Sequence, residues 1–174
     1  MNKIALVYGP TGGSTEKVAK LITEKFGKDK IDLIPVKEIT TEKWLSYDNL
    51  ICGTATIGDD TWDQTFRKDD WSNFFPELLN LDLKHQTIAC FGLGDHITYS
   101  AHFVDGLGKL VKILEDRGVK TIGRVDVKDY EFSHSEATDG NQFVGLPVDE
   151  DFESDKTNGR VLNWLSLIQP EFNK

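Results

Sequence analysis

Short apolar runs alternate along this chain with longer stretches that carry apolar residues at helical spacing. The first run, residues 3–8, reads Lys-Ile-Ala-Leu-Val-Tyr and is apolar after its opening lysine. A continuous run of this kind predicts a strand that is buried on both faces. Beyond a glycine-rich loop, the spacing of one helix face is seen at Val18, Ala19, Leu21, Ile22 and Phe26. A strand followed by a helix, and then repeated, is typical of a parallel sheet with helices on both faces.

The same alternation continues to the end of the chain. It predicts four further strands, at residues 31–36, 50–53, 87–92 and 121–127. It predicts helices at residues 14–26, 40–46, 71–79, 101–117 and 157–168. We expect Ser14 or Thr15 to cap the first helix and Gly27 to end it. The predicted fold class is therefore α/β, with one helix accompanying each strand.

A polar stretch interrupts this pattern near the last predicted strand. Residues 123–158 are rich in Asp, Glu, Ser and Gly and contain only short apolar segments such as Phe143-Val144-Gly145-Leu146. The composition predicts a loop or small subsheet inserted at about residues 124–145. Because 174 residues make one ordinary domain and no linker or repeat interrupts them, we expect a single domain over residues 1–174.

Charge and composition narrow the class of function. Twenty-nine acidic residues against twenty basic ones give a formal net charge of −9, which argues against nucleic acid and favours basic protein surfaces as partners. No apolar run reaches the roughly 20 residues of a membrane helix, and the start lacks the core of a signal peptide. We therefore expect a cytoplasmic protein, in which Cys52 and Cys90 are reduced core residues.

Other residue types that often mark sites point to the core or the surface. The four histidines show no metal-like spacing, so no metal is expected, although His96 is near the predicted ligand edge by position. Trp44, Trp71 and Trp164 fit apolar helical stripes, whereas Trp62 lies in a loop.

The loop after the first strand has the character of a phosphate cradle. Residues 9–15, Gly-Pro-Thr-Gly-Gly-Ser-Thr, join a buried strand to a helix, so amides and hydroxyls converge on the positive helix end. A Walker loop would need Lys after Gly13, where the chain has Ser14, and the Gly-x-Gly-x-x-Gly spacing of dinucleotide folds is missing. On this loop alone, an ordinary glycine turn remains an alternative.

Two further loops follow predicted strands, and open α/β sheets bind ligands at this edge. Residues 53–60, Gly-Thr-Ala-Thr-Ile-Gly-Asp-Asp, place an apolar Ile57 beside a glycine. Residues 92–99, Gly-Leu-Gly-Asp-His-Ile-Thr-Tyr, offer the ring of Tyr99, on which a planar heterocycle could stack, and the acid Asp95.

With these loops, the chain resembles the long-chain flavodoxins from its first strand to the closing residues 164–172. The family's first loop, Thr/Ser-x-Thr-Gly-x-Thr, binds the phosphate of FMN and aligns with residues 10–15, where Pro10 and Gly12 lack the family's hydroxyls. The resemblance thus implies phosphate contacts from Pro10, Thr11, Gly12, Gly13, Ser14 and Thr15.

The other two loops resemble the family's flavin-binding segments. Residues 53–59 resemble Gly-x-Pro-Thr-[Trp/Leu]-Gly-[Asp/Glu], which implies contacts from Thr54, Ala55, Thr56, Ile57, Gly58 and Asp59, with Ile57 on one flavin face and a peptide flip at Gly58–Asp59. The third loop matches Gly-x-Gly-Asp-x-x-x-Tyr, which implies that Tyr99 covers the other face. The implied contacts of this region come from Leu93, Gly94, Asp95, Tyr99, His102 and Phe103.

The resemblance also implies a fold and a function. The fold is a flavodoxin-like, doubly wound, five-stranded parallel sheet of order 2-1-3-4-5, with an insertion that splits the last strand. The function is that of a monomeric, low-potential single-electron carrier, with non-covalent FMN cycling mainly between semiquinone and hydroquinone. The implied partners are basic-surfaced redox proteins, such as a ferredoxin/flavodoxin-NADP reductase and low-potential acceptor oxidoreductases.

Two other functions fit an α/β sheet of this kind. An FMN-dependent quinone or azo reductase would need a substrate pocket beside the flavin and usually a dimer, and the acidic loops favour the carrier. A response-regulator-like signalling module would need an acidic cluster after the first strand, where Tyr8-Gly9-Pro10 has none.

Overall fold

The computed structural model describes residues 3–55 and 70–174 and has a parallel sheet at its centre. Its strands are β1 (Ile4–Tyr8), β2 (Ile31–Pro35), β3 (Asn49–Thr54), β4 (Thr87–Leu93) and β5 (Lys120–Ile122). They pair in the order β2-β1-β3-β4-β5, and each pairing is parallel. The expected strand order is therefore confirmed.

Helices cover both faces of this sheet. They are α1 (Ser14–Phe26), α2 (Thr41–Leu45), α3 (Asp70–Leu78), α4 (Asp105–Asp116) and α5 (Ser154–Ile168). Residues of α1 and α5 form one core cluster with one sheet face, and residues of α2, α3 and α4 form the other. Burying apolar side chains in two layers leaves the carboxyl ends of the strands as the edge where loops can carry polar groups.

The fifth strand position is divided. The segment after β5 forms a small antiparallel sheet from β6 (Val125–Asp126), β7 (Thr138–Asp139) and β8 (Gln142–Phe143), in the order β6-β8-β7. The chain then returns as β9 (Leu146–Val148), which pairs parallel to β4 beyond the residues that β5 occupies. The last strand is thus split by an inserted subsheet, as the resemblance implied.

Three predicted boundaries are wrong by three residues or more, and one of them is the start of α5, which lies at Ser154 and not at residue 157. The predicted strand 121–127 stops at Ile122, because Gly123 has a φ of +85° and its carbonyl accepts a 2.8 Å hydrogen bond from Trp164 Nε1. The predicted helix 101–117 begins only at Asp105. Residues 100–102 form a 3-10 turn, and Val104 adopts a left-handed conformation with φ of +50°, which interrupts regular helix geometry.

The predictions for the core are confirmed. Trp44, Trp71 and Trp164 are buried, and Cys52 and Cys90 are buried and unoxidised on neighbouring strands. Among the residues that the structure describes, no helix combines the length and the apolar character that crossing a membrane requires.

Candidate functional site

The first loop presents an open helix N-terminus. The N-cap residue of α1 is Gly13, which has no side chain to cap the helix. The first backbone hydrogen bond of the helix runs from Lys17 N to Gly13 O at 3.1 Å. The expected cap by Ser14 or Thr15 is therefore wrong, since Ser14 is already the first helical residue. The amides of the first turn have no acceptor within the helix, which leaves them for a ligand or for water.

The space in front of this terminus is clear. Gly12, with φ of +82°, Gly13 and Ser14 are exposed, whereas the side chain of Thr15 is buried. Apart from the adjacent residues in the chain, no atom of the described residues lies within 4 Å of where a side chain would begin at Gly12 or Gly13. A group as large as a phosphate therefore fits against the exposed amides.

A carboxylate already engages part of the loop. Glu16 accepts hydrogen bonds from the Tyr8 hydroxyl at 2.7 Å and from the Gly12 amide at 3.3 Å. The Tyr8 hydrogen bond, opposed by the cost of burial, holds the pKa of Glu16 below its usual value. Burial and then the bond to Glu16 raise the pKa of Tyr8 to about 12. Pro10 has no N–H, and the amide of Gly12 already donates to Glu16. Two backbone positions of the predicted cradle are therefore poor donors for a phosphate.

A lysine that was not predicted reaches the same loop. Lys37 Nζ donates a 3.1 Å hydrogen bond to Thr11 Oγ1. Lys37 lies in the 3-10 turn Val36–Glu38 after β2, and β2 pairs with β1 so that Pro35 lies beside Tyr8. Pattern analysis offers no direct signal for such a contact, because only the sheet order brings the two turns together.

The second loop begins beside the first. The Gly53 carbonyl accepts the Gly9 amide at 3.1 Å and Trp71 Nε1 at 2.9 Å, and Thr54 is fully buried. Ala55 follows at the surface edge, half-buried. The remaining predicted residues of this loop, with Trp62, lie outside the described residues: Thr56, Ile57, Gly58 and Asp59.

The third loop is held by its own acid and by β9. Asp95 Oδ1 accepts the amides of Ile97 at 3.0 Å and Thr98 at 2.7 Å, which forms a compact turn after β4. The Gly94 amide donates to the Val148 carbonyl at 2.9 Å. Tyr99 is 51% exposed on this turn, so its aromatic side chain is accessible to a ligand.

Leu93, at the start of this loop, is half-buried. The two predicted site residues that follow Tyr99 in the chain differ in burial. His102 is exposed and its Nδ1 lies 3.0 Å from Asp105 Oδ2. The ring of Phe103 is fully buried and contacts an aromatic cluster beneath the insertion: Tyr130, Phe132 and Phe143. The structure brings Phe103 to the core of this region and not to its open edge.

A buried polar cluster behind the third loop was also missed. His96 Nδ1 hydrogen-bonds to Asp149 Oδ2, and the carboxylate of Glu153 lies 3.7 Å from the same nitrogen. The three groups are close enough to share a cation, but each already has a partner within the protein. Glu153 pairs with Lys156 and Arg160, and Asp149 accepts three backbone amides. The cluster acts as a structural clamp on the loop.

The three loops meet at one edge of the sheet. Strand β3 lies between β1 and β4, with Gly53 opposite both Tyr8 and Phe91. Parallel pairing therefore places the loop ends next to one another at the carboxyl edge. The arrangement provides a polar helix terminus for an anionic group and, two strands away, an exposed aromatic ring for a planar group.

Comparison with known proteins agrees with this geometry. The chain matches the Flavodoxin family model over residues 6–164. It is 36% identical to the flavodoxin of Nostoc sp. over 98% of this chain and 97% of that protein. It is 35% identical to the flavodoxin of Klebsiella pneumoniae over 97% of this chain and 98% of that protein. The solved structure of Fusobacterium nucleatum flavodoxin bound to flavin mononucleotide has a TM-score of 0.87, at 23% identity and 99% coverage of both chains, which is a likeness of fold.

Proposed function

Because the chain belongs to the flavodoxin family, we propose that it is an electron-transfer protein that binds one FMN non-covalently. The observation that carries this proposal is the pairing, at one sheet edge, of the open N-terminus of α1 with the exposed ring of Tyr99. FMN has a phosphate at one end and a planar ring system at the other, so the two features match its two ends. The likeness of fold to an FMN-bound flavodoxin supports the same ligand.

The phosphate end belongs to the first loop. Thr11 and Ser14 offer hydroxyls, and the exposed first turn of α1 offers amides aligned with the helix dipole. Gly12 and Gly13 leave room for the phosphate oxygens. Pro10 and Gly12 shape the loop but supply few hydrogen-bond donors to a phosphate. Pro10 has no N–H, and the amide of Gly12 donates to Glu16.

The ring end belongs to the second and third loops. We assign stacking on one flavin face to Tyr99, and we assign the flavin edge to the turn that Asp95 holds after Leu93 and Gly94. Thr54 and Ala55 are the described residues of the second loop, to which the resemblance assigns the opposite flavin face. Phe103 supports this loop from below through its buried aromatic contacts.

When bound, FMN supplies one-electron transfer, and the protein decides which electron steps are favourable. An acidic chain of net charge −9 opposes additional negative charge on the ligand. One carboxylate at ~8 Å with an effective dielectric of ~20 opposes it by about 2 kcal/mol before salt screening. We expect a low potential for the last electron, with the carrier working between its one-electron-reduced and fully reduced forms.

The same charge selects partners. Basic-surfaced redox proteins, such as a ferredoxin/flavodoxin-NADP reductase and low-potential acceptor oxidoreductases, complement an acidic carrier. We further propose that the protein acts as a cytoplasmic monomer of one domain, and that the inserted subsheet places it in the long-chain branch of the family.

A visible spectrum during stepwise dithionite reduction tests the proposal. We expect the purified protein to bind FMN and to show an absorbance band of the one-electron-reduced flavin between two separate reduction steps. Failure of the purified protein to take up FMN would contradict the proposed ligand. Reduction in a single two-electron step would contradict the role of single-electron carrier, but it would not contradict the binding of FMN.

A further inference from the structure

The phosphate loop of this chain has few donors for a dianionic group. Pro10 has no N–H, and the Gly12 amide is directed to Glu16 Oε2 at 3.3 Å. Neither Gly12 nor Gly13 has a side chain, and Thr15 is buried. The donors that remain at the surface are the amides at the start of α1 and the hydroxyls of Thr11 and Ser14.

The electrostatic surroundings of the loop are also unfavourable for an anion. The carboxylate of Glu16 lies inside the loop, and both Glu16 and Glu38 raise the pKa of the neighbouring Tyr8 through their charge. Two lysines of α1 lie near but are engaged by carboxylates: Lys17 pairs with Glu150 at 3.0 Å, and Lys20 lies 3.7 Å from Glu16.

Lys37 differs from these lysines. Its Nζ contacts Thr11 Oγ1 at 3.1 Å, and no carboxylate of residues 3–55 or 70–174 lies within ion-pair distance of it. Thr11 Oγ1 accepts this bond, which leaves its own O–H to donate to a phosphate oxygen. Because β1 and β2 pair in parallel, the turn that contains Lys37 lies beside the first loop. The position of Lys37 therefore follows from the fold.

We propose that Lys37 is a phosphate-recognition residue, a cation supplied by the turn after β2 that compensates for the donors missing at Pro10 and Gly12. The inference rests on the proposed FMN function and adds a specificity: Lys37 distinguishes FMN from riboflavin, which has the same ring system without the phosphate. It acts on binding through its charge and through the Thr11 hydroxyl that it orients.

Binding of FMN and of riboflavin to the FMN-stripped protein, measured by quenching of flavin fluorescence, tests this role. We expect Lys37→Gln to raise the Kd for FMN about tenfold, which is the scale of one partly screened charge pair. The Kd for riboflavin should not change. The Kd for FMN should also depend less steeply on salt in the variant, and Lys37→Arg should restore most of the affinity.

Lys25→Gln is the matched control, because it removes the same charge from the opposite, C-terminal end of α1. Its Kd for both flavins should stay at the wild-type value. Equal weakening of FMN and riboflavin by Lys37→Gln would show a structural role only and overturn the inference, as would no change in either. Wild-type protein that binds riboflavin and FMN equally also overturns it, whereas wild-type protein that binds neither overturns the proposed function itself.

Discussion

The carboxylate of Asp149 holds both the ring and the backbone of His96. Asp149 Oδ2 accepts His96 Nδ1 and, at 3.0 Å, the His96 amide, across a sequence separation of 53 residues. Its Oδ1 accepts the amides of Asp151 and Phe152, each at 2.9 Å. One fully buried side chain therefore ties the third loop to the turn that leads into α5.

Replacement of this carboxylate should destabilise the protein. An amide has one acceptor oxygen where Asp149 has two, so Asp149→Asn leaves buried donors without full partners. We expect the free energy of unfolding to fall by about 1–3 kcal/mol, as measured by urea denaturation. Asp155→Asn, at an exposed position in the first turn of α5, is the control and should change it by no more than about 0.5 kcal/mol. Equal effects of the two variants would contradict the clamp.

Low pH should destabilise the protein through the same carboxylate. Burial raises the pKa of Asp149, but the hydrogen bonds from His96, Phe152 and Asp151 outweigh it and hold the pKa below the usual value. A lowered folded pKa contributes stability above the unfolded value, about 3.9 for Asp, and that stability is lost as the pH falls through the folded value. Urea midpoints measured from about pH 7 to about pH 3 should therefore drop steeply below about pH 4.

The variant provides the control for this titration. Asp149→Asn cannot ionise at this position, so its midpoints should fall less steeply over the same pH range. Glu153, whose pKa is also lowered against the cost of burial by Lys156 and Arg160, keeps part of the dependence in both proteins. Identical slopes for wild type and variant would exclude Asp149 as a source.

Removal of the charge of Glu16 should strengthen FMN binding. In Glu16→Gln the amide oxygen can accept the Gly12 N–H, and the amide NH2 can donate to the hydroxyl oxygen of Tyr8, which turns its own O–H away. The two contacts of the loop are therefore kept while the repulsion of the phosphate disappears. We expect the Kd for FMN to fall about threefold at low salt and the effect to shrink with added salt. Glu24→Gln, near the other end of α1, should leave the Kd unchanged. Weaker binding of FMN by Glu16→Gln would show that the charge organises the loop instead.

Loss of the ring of Tyr99 should affect FMN and riboflavin alike. The ring is exposed and projects from a turn that Asp95 forms with backbone amides, so Tyr99→Leu removes stacking without disturbing the turn. We expect the Kd for both flavins to rise about tenfold, measured by fluorescence quenching. Ile97→Ala in the same loop, also at an exposed position, tests whether any apolar loss has this effect. A change confined to FMN would place Tyr99 near the phosphate and not the ring.

The features that sequence alone determined are local. Apolar runs and helical periodicity identified strands β1 to β5 and helices α1 to α5, because burial on one or two faces imposes a period within a few residues. They did not identify β9, whose three residues are too few to show a period. The glycine-rich loop and Tyr99 were also found from sequence, since both belong to contiguous motifs. The burial of Trp44, Trp71 and Trp164 followed from their place in apolar stripes.

Only the tertiary structure decided the contacts between distant segments. The strand ends at Ile122 because the Gly123 carbonyl binds Trp164, and Lys37 reaches Thr11 because β2 pairs with β1. His96 meets Asp149 because β9 returns beside β4. These partners lie between 26 and 53 residues apart in the chain, and no periodicity links them. Hydrogen bonds and ion pairs depend on distances of a few ångströms, which strand pairing and the inserted subsheet set only after the chain has folded.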